Sequence, residues 1–284
     1  MTLTHIMATR PVRRENQLLM VLPEEVKGRI TPDLELVSLP LGDVVFEAGH
    51  AQRYVYFPHD SIVSMLTVIE SGKCTEVAVV GNEGIVGIDA LMGGSNPYSQ
   101  AVVQSAGTAY RMPARLLKEQ FNRHHALQSL LLRYLQSLIT QMSQTAVCSQ
   151  HHGTEQRLCC RLLLSLDRSS GDELVLTQAQ IAHLLGLRRE GITQAAGRLR
   201  KLGVIESSRG RIKVLNRDKL ERLSCECYAV VKAESARLLP YARASHPRHD
   251  AHGTAAAPSS SASLASRKPV PGWVPARGRA TVLA

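Results

Sequence analysis

The stretch from Leu176 to Leu215, LTQAQIAHLLGLRREGITQAAGRLRKLGVIESSRGRIKVL, constrains the fold more than any other part of this chain. Thr177 with Gln180 three residues later is a capping box, so a helix is expected to begin there. Ile181, Leu184 and Leu185 give that helix one apolar face. Gly186 supplies the turn, because glycine reaches positive φ without a Cβ clash. A second helix follows, with Ile192, Ala195, Ala196, Leu199 and Leu202 on its inner side, and the small Ala182 lets the two helices approach closely. Val204 and Ile205 then start a strand, Ser208-Arg209-Gly210 turns it, and Ile212-Lys213-Val214 returns. Two short helices, a tight turn and a hairpin in this order predict a winged helix-turn-helix.

The outer side of the second helix opens with Arg188, Arg189 and Glu190 and continues with Thr193, Gln194, Arg200 and Lys201. Thr177 and Gln178 join them from the start of the first helix, and Arg209 and Arg211 from the tip of the wing. These side chains suit base edges and phosphates of a DNA major groove. Between Thr177 and Arg217 there are nine Lys and Arg against two acids, Glu190 and Glu206, so the local field favours a polyanion. The whole-chain charge of +10 says less, because part of it lies in a tail that is not expected to fold. The plain alternative is a helical hairpin with a solvated basic face; the combined cap, Ala, Gly, Ile and wing spacing argues against it.

Upstream, residues 1–15 are polar, and Glu15 to about Ile30 reads as one or two short helices. From Leu34 to about Met112 the pattern changes to short strands, LELVSL, DVVFEAG, YVYFP, SIVSMLTVIE, CTEVAVV, QAVVQS and TAYRM, broken by glycines. Such spacing predicts a small antiparallel barrel or roll. Pro113 starts a short helix through Phe121, and a long helix is expected from about Ala126 to His151. In it Leu131, Leu135, Leu138, Met142 and Thr145 recur at steps of four and three, a heptad seam suited to pairing with a second copy. A helix packed only on its own roll is the alternative. Gly153-Thr154 breaks the helix, and Thr154 is expected to cap the next, Glu155 to Asp167. Asp218 to Leu239 reads as one final helix, and residues 241–284, rich in Ala, Ser, Pro and Arg, as a disordered basic tail. The fold class is α+β: a roll domain over 15–121, a pairing helix over 122–153, a winged helix-turn-helix over 154–240 and the tail.

This order resembles the Crp/Fnr family of bacterial transcription regulators over about residues 15–225. The likeness is strongest in LTQAQIAHLLGLRREGITQAAGRLRKLGVIE and moderate in LGDVVFEAGHAQRYVYFP and VAVVGNEGIVG. It implies a cyclic-nucleotide-binding-like jelly roll, a homodimer on an inverted-repeat operator, and RNA polymerase as a further partner. The family's Arg and Glu at the start of the recognition helix match Arg189 and Glu190; a base-contacting Arg of the cyclic-AMP-binding members is replaced by Gln194. The family's Gly-Glu-Leu ribose turn aligns with Gly87-Ile88-Asp89, so its Glu is missing. Its Arg-Ser phosphate pair aligns with Ser99-Gln100, so its Arg is missing. A phosphate there loses its bidentate partner, and Asp89 repels it. The implied ligand site is degenerate: the effector is unknown or none, and not cyclic AMP by the usual route. None of the six cysteines precedes position 74, which argues against the N-terminal iron-sulfur cluster of the oxygen-sensing branch.

His124-His125 and His151-His152 flank the long helix and Cys159-Cys160 follows, but adjacent residues point to different faces, so no metal site is expected. Cys225 and Cys227 on one helix sit about 200° apart, a poor redox pair. The His-x-His with distant Glu of a cupin-like metal enzyme is absent, as are a Ser-His-Asp set and a P-loop. No cofactor and no enzyme activity are expected. A signalling module that docks protein rather than DNA is the other alternative. No apolar run of about 18 residues suggests a membrane span, the N-terminus lacks a signal-peptide core, and the cysteines show no disulfide framework, so reduced thiols and a cytoplasmic location are expected.

Overall fold

Seven strands build the N-terminal half, and their alternation of apolar and polar residues sets two facing antiparallel sheets. The structure, a computed structural model, describes residues 15–93, 98–208 and 210–239. Strands β1 (Glu35–Leu39), β7 (Gly107–Pro113) and β3 (Tyr54–Pro58) form one sheet in that order. Strands β2 (Val44–Phe46), β6 (Ser99–Ser105), β4 (Ile62–Val68) and β5 (Cys74–Val80) form the other. Val55, Phe57, Val63, Ala78, Val80, Val103 and Met112 fill the space between them and are all buried. Each large side chain removed from water there contributes about 1.5–3 kcal/mol. These seven strands are the seven segments expected from sequence. The expectations for Arg209 and for the tail over 241–284 lie outside the described residues.

Helices close the roll. Asn16 caps α1 (Gln17–Met20), and its buried side-chain amide donates to the carbonyls of Pro58 at 3.0 Å and Gly84 at 2.8 Å. Helix α2 (Glu24–Ile30) buries Val26 and Ile30, and α3 (Ala114–Arg123) follows Pro113 directly. The long helix α4 (His125–His151) lies against the roll, where the Tyr134 hydroxyl donates to the Ile85 carbonyl at 3.1 Å. Gly84 is required at this approach, because an added Cβ would stand 2.4 Å from the Tyr134 hydroxyl oxygen.

A second core gathers α5 (Thr154–Leu166), β8 (Glu173–Val175), α6 (Gln178–Leu185), α7 (Arg189–Lys201), β9 (Ile205–Ser208), β10 (Arg211–Val214), α8 (Arg217–Leu223) and α9 (Glu226–Leu238). Three local expectations are corrected. Gly153 rather than Thr154 is the N-cap of α5, and its N–H donates to Gln156 Oε1 at 3.3 Å. The expected final helix is two: the Ser224 hydroxyl donates back to the Glu221 carbonyl at 2.7 Å, and Ser224 and Cys225 are extended, so the chain restarts at Glu226. The wing has a third strand, β8, so its order is β8-β10-β9. The far end of α9 returns to the first core, burying Leu238 and Leu239, and Ser235 meets Ser137 of α4 at 3.0 Å.

Candidate nucleic-acid interface

Helices α6 and α7 meet as the sequence requires. The Thr177 hydroxyl accepts the Gln180 N–H at 3.1 Å and Gln180 Oε1 accepts the Thr177 N–H at 2.9 Å, closing the capping box. Gly186 takes φ 62°, and the Leu187 N–H reaches back to the Ala182 carbonyl at 2.9 Å, which ends α6 in a tight left-handed cap. The Arg157 guanidinium from α5 donates to the Leu185 carbonyl at 2.6 Å, a further stop. Ile181, Ile192, Ala195, Ala196 and Leu199 are buried between the helices. Leu202, expected on that inner row, is 44% exposed, because α7 ends at Lys201 and the chain turns away before the row continues.

With one face of α7 fixed inward, Arg188, Arg189, Glu190, Thr193, Gln194, Arg200 and Lys201 all stand exposed. Among the described residues, Arg188, Arg189, Arg200 and Lys201 make no ion pair, so their charge faces outward. The Thr193 hydroxyl donates to Gln178 Oε1 at 2.8 Å, which ties the start of α6 to the exposed face of α7. Two expected contacts are changed. The Thr177 hydroxyl is occupied on both sides by Gln180, so it serves the cap. Arg211 lies on β10 and is ion-paired with Glu173 of the neighbouring strand, so its charge is part-neutralised and it does not stand at a free tip. Gly210, at φ 83°, places the wing turn beside Thr177.

The apolar row that α4 leaves exposed is offset by one residue from the expected seam. Leu131 and Leu138 are buried in their own chain, under the roll and α9, and offer no surface to another copy. The exposed apolar row is Leu132, Leu135, Ile139, Met142 and Ala146, again at steps of three and four; Leu132 is 51% and Ile139 47% exposed. Leu135 and Met142 are half-buried members of both rows, and Thr145 is half-buried off the exposed one.

In the roll, Gly87 has φ 88° and opens a short 3₁₀ turn over Ile88–Met92. Ile88 is buried, and Asp89 Oδ2 accepts the Gln52 amide at 2.8 Å. Burial pushes the Asp89 carboxyl above its usual range. Ser99 and Gln100 begin β6, and Gln100 donates to Glu47 Oε2 at 2.9 Å. The surroundings of the degenerate ligand positions therefore present carboxylates. Elsewhere, Cys148, His152, Cys225 and Cys227 come together, which sequence reasoning missed. The signal was present: Cys148 and His152 are four apart at the end of one helix, and Cys225 lies before the next helix rather than within it.

The described fold agrees with that of known proteins. The model of the Crp-like helix-turn-helix domain matches residues 156–223, and that of the cyclic nucleotide-binding domain matches residues 36–124. The chain is 26% identical to the global nitrogen regulator of Synechococcus elongatus over 71% of this chain and 94% of that one. It is 24% identical to the fumarate and nitrate reduction regulatory protein of Escherichia coli, over 64% and 76% of the two chains. The fold is also that of FixK2 from Bradyrhizobium japonicum, with a TM-score of 0.58 at 16% identity over 68% of this chain and 98% of that one. A cyclic-nucleotide-binding-type roll, a long helix and a Crp-like helix-turn-helix in one chain place this protein in the Crp/Fnr family of transcription regulators.

Proposed function

We propose that the protein works as a homodimer that reads an inverted repeat in double-stranded DNA and regulates transcription without cyclic AMP at the family's usual site. The observation that carries this reading is the outer face of α7, where Arg189, Glu190, Thr193 and Gln194 stand exposed on a helix whose opposite face is buried. The DNA set is Gln178, Arg188, Arg189, Glu190, Thr193, Gln194 and Lys201, with Arg200 added at the end of α7. The row Leu132-Leu135-Ile139-Met142-Ala146 supports pairing of two copies along α4, since a heptad stripe this apolar is costly to leave in water. Asp89 and Glu47 at the degenerate ligand positions support the exclusion of a cyclic phosphate. The matched relatives are regulators, which favours a binding protein over an enzyme. On this reading the protein acts in the cytoplasm with RNA polymerase as a partner. No described helix is long and apolar enough to cross a membrane.

Selected DNA sequences enriched from a random pool, followed by a salt series on the winner, test the reading. An inverted repeat with half-site centres about 34 Å apart is expected, with affinity falling steeply as salt rises. Absence of any enriched repeat sinks the proposal. Calorimetry with cyclic AMP is expected to give no saturable heat; a saturable one rejects the effector part alone.

A further inference from the structure

The sulfur and imidazole cluster at the junction of α4 and α5 has no part in DNA reading. Cys148 sits on the last turns of α4, His152 caps that helix, Cys225 caps α9 and Cys227 lies in its first turn. Their donor atoms all lie within 4.8 Å of one another. Cys148 Sγ and Cys225 Sγ are 3.5 Å apart, and Cys227 Sγ is 3.5 Å from His152 Nδ1. The three thiols are buried and His152 is half-buried.

We propose that Cys148, His152, Cys225 and Cys227 form a four-coordinate site for one soft divalent transition-metal ion, zinc in the first place. A tetrahedral ion with thiolate bonds of about 2.3 Å sets its sulfurs about 3.8 Å apart, a few tenths of an ångström from the 3.5 Å between the Cys148 and Cys225 sulfurs. A four-iron cluster needs its ligands on separate irons and therefore further apart, so the cluster is too tight for one. A disulfide needs sulfurs about 2.05 Å apart, and every cysteine of the described chain is free. Soft thiolates with one imidazole select zinc-like ions over magnesium or calcium.

The outer nitrogen of the imidazole supplies an independent observation. His152 Nε2 faces Glu226 Oε2 at 3.2 Å. With Nδ1 on the metal, Nε2–H donates to that carboxylate, which fixes tautomer and ring orientation as in known carboxylate–histidine–metal arrangements. Glu226 thus acts as a positioning residue. Arg157 lines the same cavity as Cys148. On binding, the three thiols release their protons to solvent and their lone pairs to the ion. The ion ties the end of α4 to the start of α9 immediately before Gly153, where α5 departs.

Cobalt(II) titrated into the reduced, metal-stripped full-length protein tests the site without reference to DNA. Intense thiolate-to-cobalt charge-transfer bands and tetrahedral d–d bands are expected, saturating at one ion per chain and abolished by added zinc. Cys148→Ser and Cys227→Ser should each weaken the bands, while Cys74→Ser leaves them intact. Glu226→Gln, on an exposed side chain, should keep the band shape and raise the dissociation constant about 10–100-fold. Weak octahedral cobalt bands in the wild type overturn the proposal, even if the Ser variants fail to fold. Bands indifferent to both Ser variants, or a Cys148–Cys225 disulfide in place of metal in the isolated protein, overturn it equally. Either result leaves the DNA reading untouched.

Discussion

Arg161 of α5 reaches across the contact between the two cores and meets Glu76 of β5, with both side chains almost wholly buried. Arg161 Nη2 donates to Glu76 Oε2 at 2.7 Å and to Gln104 Oε1 at 2.8 Å, and the Ser64 hydroxyl donates to Glu76 at 2.6 Å. Burial pushes the Glu76 carboxyl above its usual range in spite of the facing guanidinium, and pulls Arg161 down. Desolvation thus outweighs attraction for each partner. The pair and its hydrogen bonds join α5 to the roll. A second tie, Arg168 to Glu83 at 2.6 Å, holds the end of the same helix.

Removing one partner alone leaves an uncompensated buried charge. Glu76→Leu and Arg161→Met are each expected to cost about 3–5 kcal/mol, and the two changes together to recover most of it. Urea denaturation of the four proteins completes the cycle. Additive losses in the double variant would mean that the two side chains are not coupled.

The pairing stripe gives a contrast between neighbours. In the proposed dimer Ile139→Asp sets like charges across the interface and should yield folded monomers by sedimentation. Leu138→Asp buries a charge in the chain's own core and should destabilise the fold itself. A dimer unchanged by Ile139→Asp would remove α4 as the interface.

Asp89 makes a pH test possible. Its folded-state pKa is raised, chiefly by burial, so the folded chain holds the proton more tightly than the unfolded one. Stability contributed by this group is therefore present at low pH and lost as pH rises from the ordinary Asp value through the raised one. Asp89→Asn carries no such charge. It is expected to be more stable than the wild type at neutral pH, with the difference shrinking as pH falls into the acid range. Melting curves across that range check it; a difference independent of pH excludes the titration of Asp89 as its cause.

Local chemistry was legible in the sequence wherever one short segment decided it. The Thr177–Gln180 cap, the Gly186 turn and the seven strands all follow from residues within a few positions of one another. What escaped depended on distant partners. Leu131 and Leu132, like Leu138 and Ile139, are apolar neighbours, and two heptad rows share Leu135 and Met142. Only the roll and α9, folded against α4, decide which row is covered. Arg211 reads as a free cation until β8 brings Glu173 beside it. The sulfur cluster needs the break at Ser224–Cys225, which no helical periodicity announces.

The proposed reading of bases by the exposed face of α7 makes the sharpest prediction. Arg189 is the first residue of that helix, where side chains enter the groove, and its fork matches the O6 and N7 acceptors of guanine. Glu190 suits the cytosine amino group. Thr193, tied to Gln178, keeps the first turn of α7 in register with α6. Lys201 lies at the opposite end of the helix and suits a phosphate. Arg189→Ala is thus expected to cost about 1–3 kcal/mol on the preferred operator and to relax one position of the consensus. Lys201→Ala should weaken all sequences alike and lower the salt slope by about one unit. Arg211→Ala should do less than Lys201→Ala, because Glu173 already offsets part of its charge. Binding measured over single-base operator variants separates these outcomes. A uniform loss for Arg189→Ala across every variant makes Arg189 a phosphate contact, and the base would then have to be read by Glu190 or Gln194.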